Sequence, residues 1–498
     1  MKLVQQRLKK RVIEFLDFQK FGHVHVLLLG VVSFTLLFSY LAIQKHNAFA
    51  SGYDLGNMDQ TVWNTSQGRF FSFTLGPKTV SRLATHADIF LVFLTPLYFL
   101  YSNVRTLLVF QAFALALGAV PTYLIANYIF KNKNIALIFS IIYLLNPSIH
   151  WTNIYDFHSV AIAIPLLLFT FYFGLKSKWK WFALFAFLAI LTKENVALTV
   201  GAIGLTLSFI HKNKNTLRIG IGFMIFGFLY SFLMIKKIIP SFSMNGYMYG
   251  GWYLEALERV RGTPPYLVPI EMIKNYLLTT DALSYLYLLL RPFGFLSILG
   301  FPLMLMSSPD LAINLLSDHA EMRSIMMHYD SAVIPGIVVS AIYGAYFWSF
   351  LVKKNISRND KLQKYLLHLP IYIALLVSLV VFYRSSPIPS FPNCYCQIYN
   401  VTKEDTLFEE VLSDIPRNSS ITASPEIRPH VSQREYSYTL PEMSEKADYI
   451  AIITQNRLVG DYQPKKFEME LIKKLNKSKN YVLKNQIGHF YLYERTKM

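Results

Sequence analysis

Apolar runs of membrane-spanning length recur along roughly the first 385 residues, and no other feature of the chain limits its fold so strongly. A bilayer core takes about 20 apolar residues of helix to cross and offers no partner to open backbone, so repeated runs of this kind specify a bundle of helices. The first, VHVLLLGVVSFTLLFSYLAI (residues 24–43), follows the basic stretch KLVQQRLKKR. No small-x-small cleavage pattern clearly follows it, so it reads as a retained span rather than a signal peptide. With 53% hydrophobic residues and a mean hydropathy of +0.34, the chain belongs to the polytopic membrane class.

The net charge of +18 does not point to nucleic acid, because the basic residues sit in short clusters between apolar runs. These are KLVQQRLKKR, KNKN from Lys131, KSKWK from Lys176, HKNKNTLR from His211 and KKNISRNDKLQK from Lys353. Placing all five in the cytoplasm satisfies the positive-inside rule and fixes the parity of crossings between them. The stretch HADIFLVFLTPLYFLY (86–101) is short and carries a proline, so it reads as interfacial or re-entrant, leaving residues 45–105 as one long external loop. The same count puts WTNIYDFHS (151–159) outside. It also breaks the run 181–210 at TKEN, with halves of about 11 to 16 residues sunk into the outer leaflet or a cavity. The spans around 283–316 read as a hairpin near Arg291-Pro292, and 365–383 carries the chain outside. The expectation is about ten or eleven spans.

After Tyr383 the proline-rich SSPIPSFPN reads as a linker, and SSITAS, DYIAIIT and YVLKNQIGHFYLYE read as strands. The chain therefore divides into a helical membrane domain (1–384) and a small extracytoplasmic α/β domain (385–498). The expected location is the plasma membrane, with a cytoplasmic N-terminus. Cys394 and Cys396 are the only cysteines; one residue apart, they are poorly placed to bridge each other and read as structural or incidental.

Parity gathers Asp54, Asp59, His86, Asp88, Asp156, His158, Lys193 and Glu194 at outer span ends. Each admits a plainer role. The stretch from Asp54 to Phe70 suits an interfacial amphipathic helix despite Gly56, the histidines suit ordinary loops, Asp156 suits a helix cap, and Lys193 with Glu194 suits an ion pair. Charges within an apolar hairpin cost about 2.5–3.5 kcal/mol each on insertion scales, so TKEN is the hardest to explain without function. Carboxylates and a lysine at a membrane face suit transfer from a phosphate-bearing lipid carrier: the acid takes a proton from an acceptor hydroxyl, and the cation meets charge on the departing phosphate.

Six motifs in order, YDLGNMDQTVWN, HADIFLVFLTPLYFLY, NPSIHWTNIYDFHSVA, LTKENVAL, MHYDSAVIP and PHVSQREYSYTLPEMSEKADYI, resemble the membrane family known as domain of unknown function 2079. That family looks like a branch of the GT-C glycosyltransferases, membrane enzymes that use polyprenyl-phosphate sugars. The resemblance implies a GT-C-like helical domain and a glycan, lipid or protein acceptor outside the cytoplasm, with inversion at the sugar. Asp54 matches the first-loop catalytic acid of that superfamily. The adjacent acid common in some branches is replaced by Leu55, so Asp59 stays open as the base. His86, Asp156, His158, Lys193, Glu194, His328 and Tyr329 are implied in substrate binding, and Asp54 with Asp156 in holding Mg²⁺ or Mn²⁺. A transporter or flippase for a lipid or solute is the main rival, and a non-catalytic scaffold the third reading; a transporter would place polar groups near the midplane, often in repeated halves, and no repeat is present.

Overall fold

A computed structural model describes residues 22–243, 246–356, 361–457 and 464–496. The basic N-terminal cluster and residues 357–360 of the fifth cluster lie outside these. Helix α1 (His23–Asn47) is the first span, and after a tight turn the chain enters α2 (Tyr53–Ser66). Helix α2 runs unbroken through Gly56. The glycine Cα lies so close to the C-terminal unit that an added Cβ would sit 2.9 Å from Arg428 Cγ. Strands β1 (Ser72–Leu75) and β2 (Lys78–Ser81) pair antiparallel about Gly76-Pro77, with Gly76 at φ +56° supplying the turn. The stretch 86–101 becomes the short helix Ile89–Leu100, too short to cross a bilayer.

The remaining membrane helices are α3 (Arg105–Phe130), α4 (Lys133–Leu144), α5 (Pro147–Ile154), α6 (Ser159–Leu175), α7 (Trp179–Ile190), α8 (Val196–His211), α9 (Lys214–Phe242), α10 (Thr280–Leu290), α11 (Phe301–Leu316), α12 (Ile334–Asn355) and α13 (Lys361–Ser385). Among the described residues, five helices (α1, α3, α9, α12, α13) are long and apolar enough to span, and the bent pair α4–α5 makes a sixth. This multi-span helical membrane protein thus has fewer full-length spans than its apolar runs suggest. The difference lies in helices such as α7 and α8, 12 and 16 residues long, which flank the TKEN turn and are packed against neighbours. The α4–α5 bend of 42° falls where Pro147 starts a new helix, with the Asn146 side chain capping Ser148 N at 3.1 Å. Helices α8 and α9 touch backbone to backbone at Gly204 and Gly220, a small-residue contact suited to lipid.

One end of the bundle collects the lysine clusters. Lys131 and Lys176 stand 4.2 and 5.8 Å from the Tyr128 ring, His211 Nε2 is 3.0 Å from Gly174 O, and His368 meets Phe130 edge-on. The C-terminal unit covers the other end. Its five-stranded sheet has the order β4 (Ser437–Thr439), β3 (Ile421–Ala423), β5 (Tyr449–Ile453), β7 (Phe490–Arg495), β6 (Tyr481–Ile487), with α14 (Lys403–Ser413) and α15 (Lys466–Leu475) beside it. Strand β3 is parallel to β4 and β5, while β5–β7 and β6–β7 are antiparallel, so this is a mixed sheet. The three strand-like runs of the sequence all lie in it. In the linker, Cys394 and Cys396 are joined as a disulfide, contrary to the sequence reading; the chain turns sharply enough there to bring their Cα atoms to 4.9 Å, within the range a bridge needs.

Candidate active site

At the end of the bundle that bears the sheet lies a cavity of about 890 Å³, walled by α2, the segment 82–88, the TKEN turn, the end of α9 and the loop around His328. Among the described residues, none from the C-terminal unit lines it.

Asp54 stands in the first turn of α2, where the helix dipole favours an anion, and its side chain is 38% exposed, into the cavity. The surrounding protein raises its carboxyl above the ordinary range by desolvation, which the positive charge of Arg82 partly offsets. His158 Nε2 is 3.9 Å from Asp54 Oδ2. Burial holds His158 down to about 3, so it faces Asp54 as a neutral imidazole. Its ring stacks on His328 at 3.7 Å, and Tyr155 packs on both.

Asp59 is on the far side of the same helix and does not reach the cavity. Its carboxyl accepts from Tyr98 Oη at 2.5 Å, Gln433 Nε2 at 3.1 Å and the Ser432 hydroxyl, which clamps α2 to the C-terminal unit. Gln60, one residue on, strengthens the clamp by donating to Arg434 O at 3.0 Å and accepting from Arg428 Nη2 at 2.8 Å.

Asp156 also lies off the cavity. It occupies the left-handed region at φ +118°, a conformation held by Lys45 Nζ at 2.7 Å on one oxygen and Gly52 N at 2.8 Å on the other. Gln111 completes the brace, donating to Asp156 O at 2.9 Å and accepting from His158 N at 2.8 Å. This network ties the end of α1 to the start of α2 and so sets where Asp54 points. With both Asp156 oxygens engaged, the expected Asp54–Asp156 metal pair does not fit this arrangement. Among the described residues no group of three or more histidines, cysteines or carboxylates is disposed to hold a metal ion.

In the TKEN turn the neighbouring charges separate. Glu194, 1% exposed, accepts from Ala87 N at 3.1 Å and Tyr247 Oη at 3.1 Å and pairs with His86 Nδ1 at 2.8 Å. Burial opposes its ionisation, but the His86 charge and hydrogen bond, helped by Lys193, bring it down to about 2. Lys193 is not the partner of Glu194. It lines the cavity 5.9 Å from the Tyr329 ring and has no carboxylate partner among the described residues.

Several groups escaped the sequence reading. Arg82 lines the cavity and chelates Asp88 with three hydrogen bonds of 2.8–3.1 Å; the six-residue spacing of opposite charges was its only signal. Lys236 lies in a π-helical turn of α9 (Met234–Ile238), and a pair of lysines inside an apolar run marked the place. Tyr249 stacks on His86 at 4.4 Å, and Asp310, bonded to Asn195 and Thr199, steadies the far side of the turn.

Fold and site together define a multi-pass membrane protein with a polar cavity at one end of its helical bundle, braced under a mixed sheet. Residues 45–489 match the predicted membrane protein family DUF2079, and the chain belongs to it, as its motifs indicated. Among solved structures it is similar to ArnT from Cupriavidus metallidurans in the apo state, at 10% identity over 93% of this chain and 98% of that one, with a TM-score of 0.48. It is also similar to the arabinofuranosyltransferase AftD from Mycobacteria, at 10% identity over 95% of this chain and 40% of that one, with a TM-score of 0.49. No curated protein matches.

Proposed function

We propose that the protein is a membrane glycosyltransferase that moves a sugar from a polyprenyl-phosphate carrier to an acceptor hydroxyl on the non-cytosolic side. The observation that carries this reading is that Asp54 and Lys193, whose ammonium makes no direct carboxylate pair among the described residues, line one cavity at the edge of an apolar bundle. A carrier lipid can keep its tail among the helices while its anionic head reaches that cavity. The lysine clusters gathered at the opposite end support a cytoplasmic placement for that end.

In this reading Asp54 takes the proton of the acceptor hydroxyl as its oxygen attacks the anomeric carbon, and the bond from that carbon to the carrier phosphate breaks. One direct displacement inverts the centre. Lys193 meets the charge that grows on the leaving phosphate, an interaction stronger in the transition state than before it. The neutral His158–His328 stack and Tyr155 form a wall beside the base, Asp156 positions it through its brace with Lys45 and Gly52, and His86 and Glu194 line the same cavity. Asp59 belongs to the clamp, so Asp54 is the base of the two.

Mass analysis of surface glycans and polyprenyl-phosphate sugars from cells with and without the gene tests this reading and names the sugar. The lipid-linked sugar should accumulate and one glycan linkage should disappear in cells lacking the gene, and cells carrying Asp54→Asn at normal protein level should look the same. Unchanged glycans and carriers in both would refute it.

A further inference from the structure

A second cavity, of about 360 Å³, opens where α10 meets the linker after α13, lined by Trp151, Arg291, Met326, Ser385, Asn393 and Tyr395. The loop ahead of α12 divides it from the first: Met326 lines this cavity, and His328 and Tyr329 line the Asp54 cavity.

Arg291 is the unusual group. Its Nη2 donates to Ser385 Oγ at 2.6 Å and its Cζ stands 5.6 Å from the Tyr287 ring, but its Nε is buried with no partner. No carboxylate pairs with it among the described residues. Arg82 is paired with Asp88 and Arg457 with Asp405; the fully buried Arg428 also leaves donors without a partner, but it lines neither of the two cavities. Arg291 is half-buried, an anion that accepted from its buried Nε would satisfy that unused donor, and its planar fork suits two oxygens of one phosphate. The wall is held in place by Trp151, whose Nε1 donates to Ser385 O at 2.8 Å, and the Ser385 hydroxyl that accepts from Arg291 keeps its own proton to donate. The two helices that lead into the cavity carry exposed apolar side chains: Tyr287 of α10 and Leu376, Val380 and Tyr383 of α13 are each more than half exposed, a surface that acyl chains would cover.

We propose that the Arg291 cavity is a phosphate-binding site, separate from the Asp54 cavity, that takes the phosphate of a membrane lipid headgroup or of a soluble phosphate ester. This assignment does not depend on glycosyl transfer.

The test uses the full-length protein in an uncharged detergent, titrated calorimetrically with three probes: dihexanoyl phosphatidylglycerol, inorganic phosphate, and dihexanoylglycerol, which lacks phosphate. The wild type should bind the first or the first two and not the third, and Arg291→Gln should weaken binding about tenfold or more. Binding of the lipid alone identifies a headgroup as the source; equal binding of inorganic phosphate identifies the soluble ion. Asn393→Trp, an exposed position on the rim, should block the cavity with Arg291 intact and serves where Arg291→Gln fails to fold. The proposal is overturned if no phosphate probe binds, if dihexanoylglycerol binds as tightly as the phospholipid, or if a folded Arg291→Gln or Asn393→Trp protein binds like the wild type.

Discussion

Asp54 and Asp59 stand five residues apart on one helix, and their surroundings differ in kind. At about 100° per residue they point roughly 140° apart, so α2 turns one acid into a cavity and the other into the seam beneath the C-terminal unit. Asp59 accepts three side-chain hydrogen bonds and is fully buried, whereas Asp54 has one distant imidazole and open space. The contrast teaches that a carboxylate with its acceptors filled holds structure, while one kept partly open to a cavity is free to exchange a proton. The same division recurs in the TKEN turn, where Glu194 is saturated and Lys193 is left facing the cavity.

Substitution should separate the two roles. Asp54→Asn should lower glycosyl transfer by about 10³-fold, the scale of a lost general base, while donor binding and the melting temperature stay near wild type. Equal transfer losses in Asp54→Asn and Asp59→Asn proteins of wild-type stability would erase the distinction. Lys193→Met should lower transfer by about 10²-fold through the turnover rate more than through donor affinity; a pure affinity effect would assign Lys193 to ground-state binding instead.

Structural losses come next in size. Glu194→Gln leaves His86 without its charged partner and should cost about 3 kcal/mol, read by thermal unfolding. Because the Glu194 carboxyl is lowered to about 2 from an ordinary 4.5, its stabilising effect is complete above 4.5 and fades as pH falls toward 2. The wild type and variant should therefore converge on acidification, and a gap that persists would show that shape rather than charge is responsible. Asp59→Asn should cost about 2 kcal/mol and loosen the C-terminal unit, seen as faster proteolysis or hydrogen exchange in β3 and β4, with transfer by the folded fraction intact. A shift in transfer with no change in stability would contradict the clamp. Finally, transfer should decline as pH falls through a midpoint above the ordinary aspartate value of 3.8, since a raised carboxyl protonates earlier and a protonated base is inactive. The Asp54→Asn protein should lack that limb.

What could be read from the chain itself followed physical range. Apolar length and lysine clusters are local signals, and they located the long spans, the short 86–101 segment, the TKEN break and the common end of the basic loops. Gly56 was visible, but its reason was not, because the side chain it makes room for is Arg428, far along the sequence. The pairings of the site are equally distant: His86 with Glu194 and Lys45 with Asp156 are 108 and 111 residues apart. Lys45 in particular carries no local signal beyond being a basic residue at a span end. Adjacent Lys193 and Glu194 suggested an ion pair on proximity alone, yet a tight turn sends neighbouring side chains in different directions. The sheet follows the same rule: its strand runs were legible, but the order β4-β3-β5-β7-β6 and the short β4 depend on partners outside any local window.

The account depends on the Asp54 cavity opening away from the cytosol, and labelling tests that most directly. In a Cys394→Ser, Cys396→Ser background, single cysteines at Asp54 and Lys193 would be treated in intact cells and in inverted vesicles with a maleimide that cannot cross the membrane. Both positions should react in intact cells and be protected in inverted vesicles. Reaction at either position only from the cytosolic side, or at the two from opposite sides, would contradict the proposed active centre.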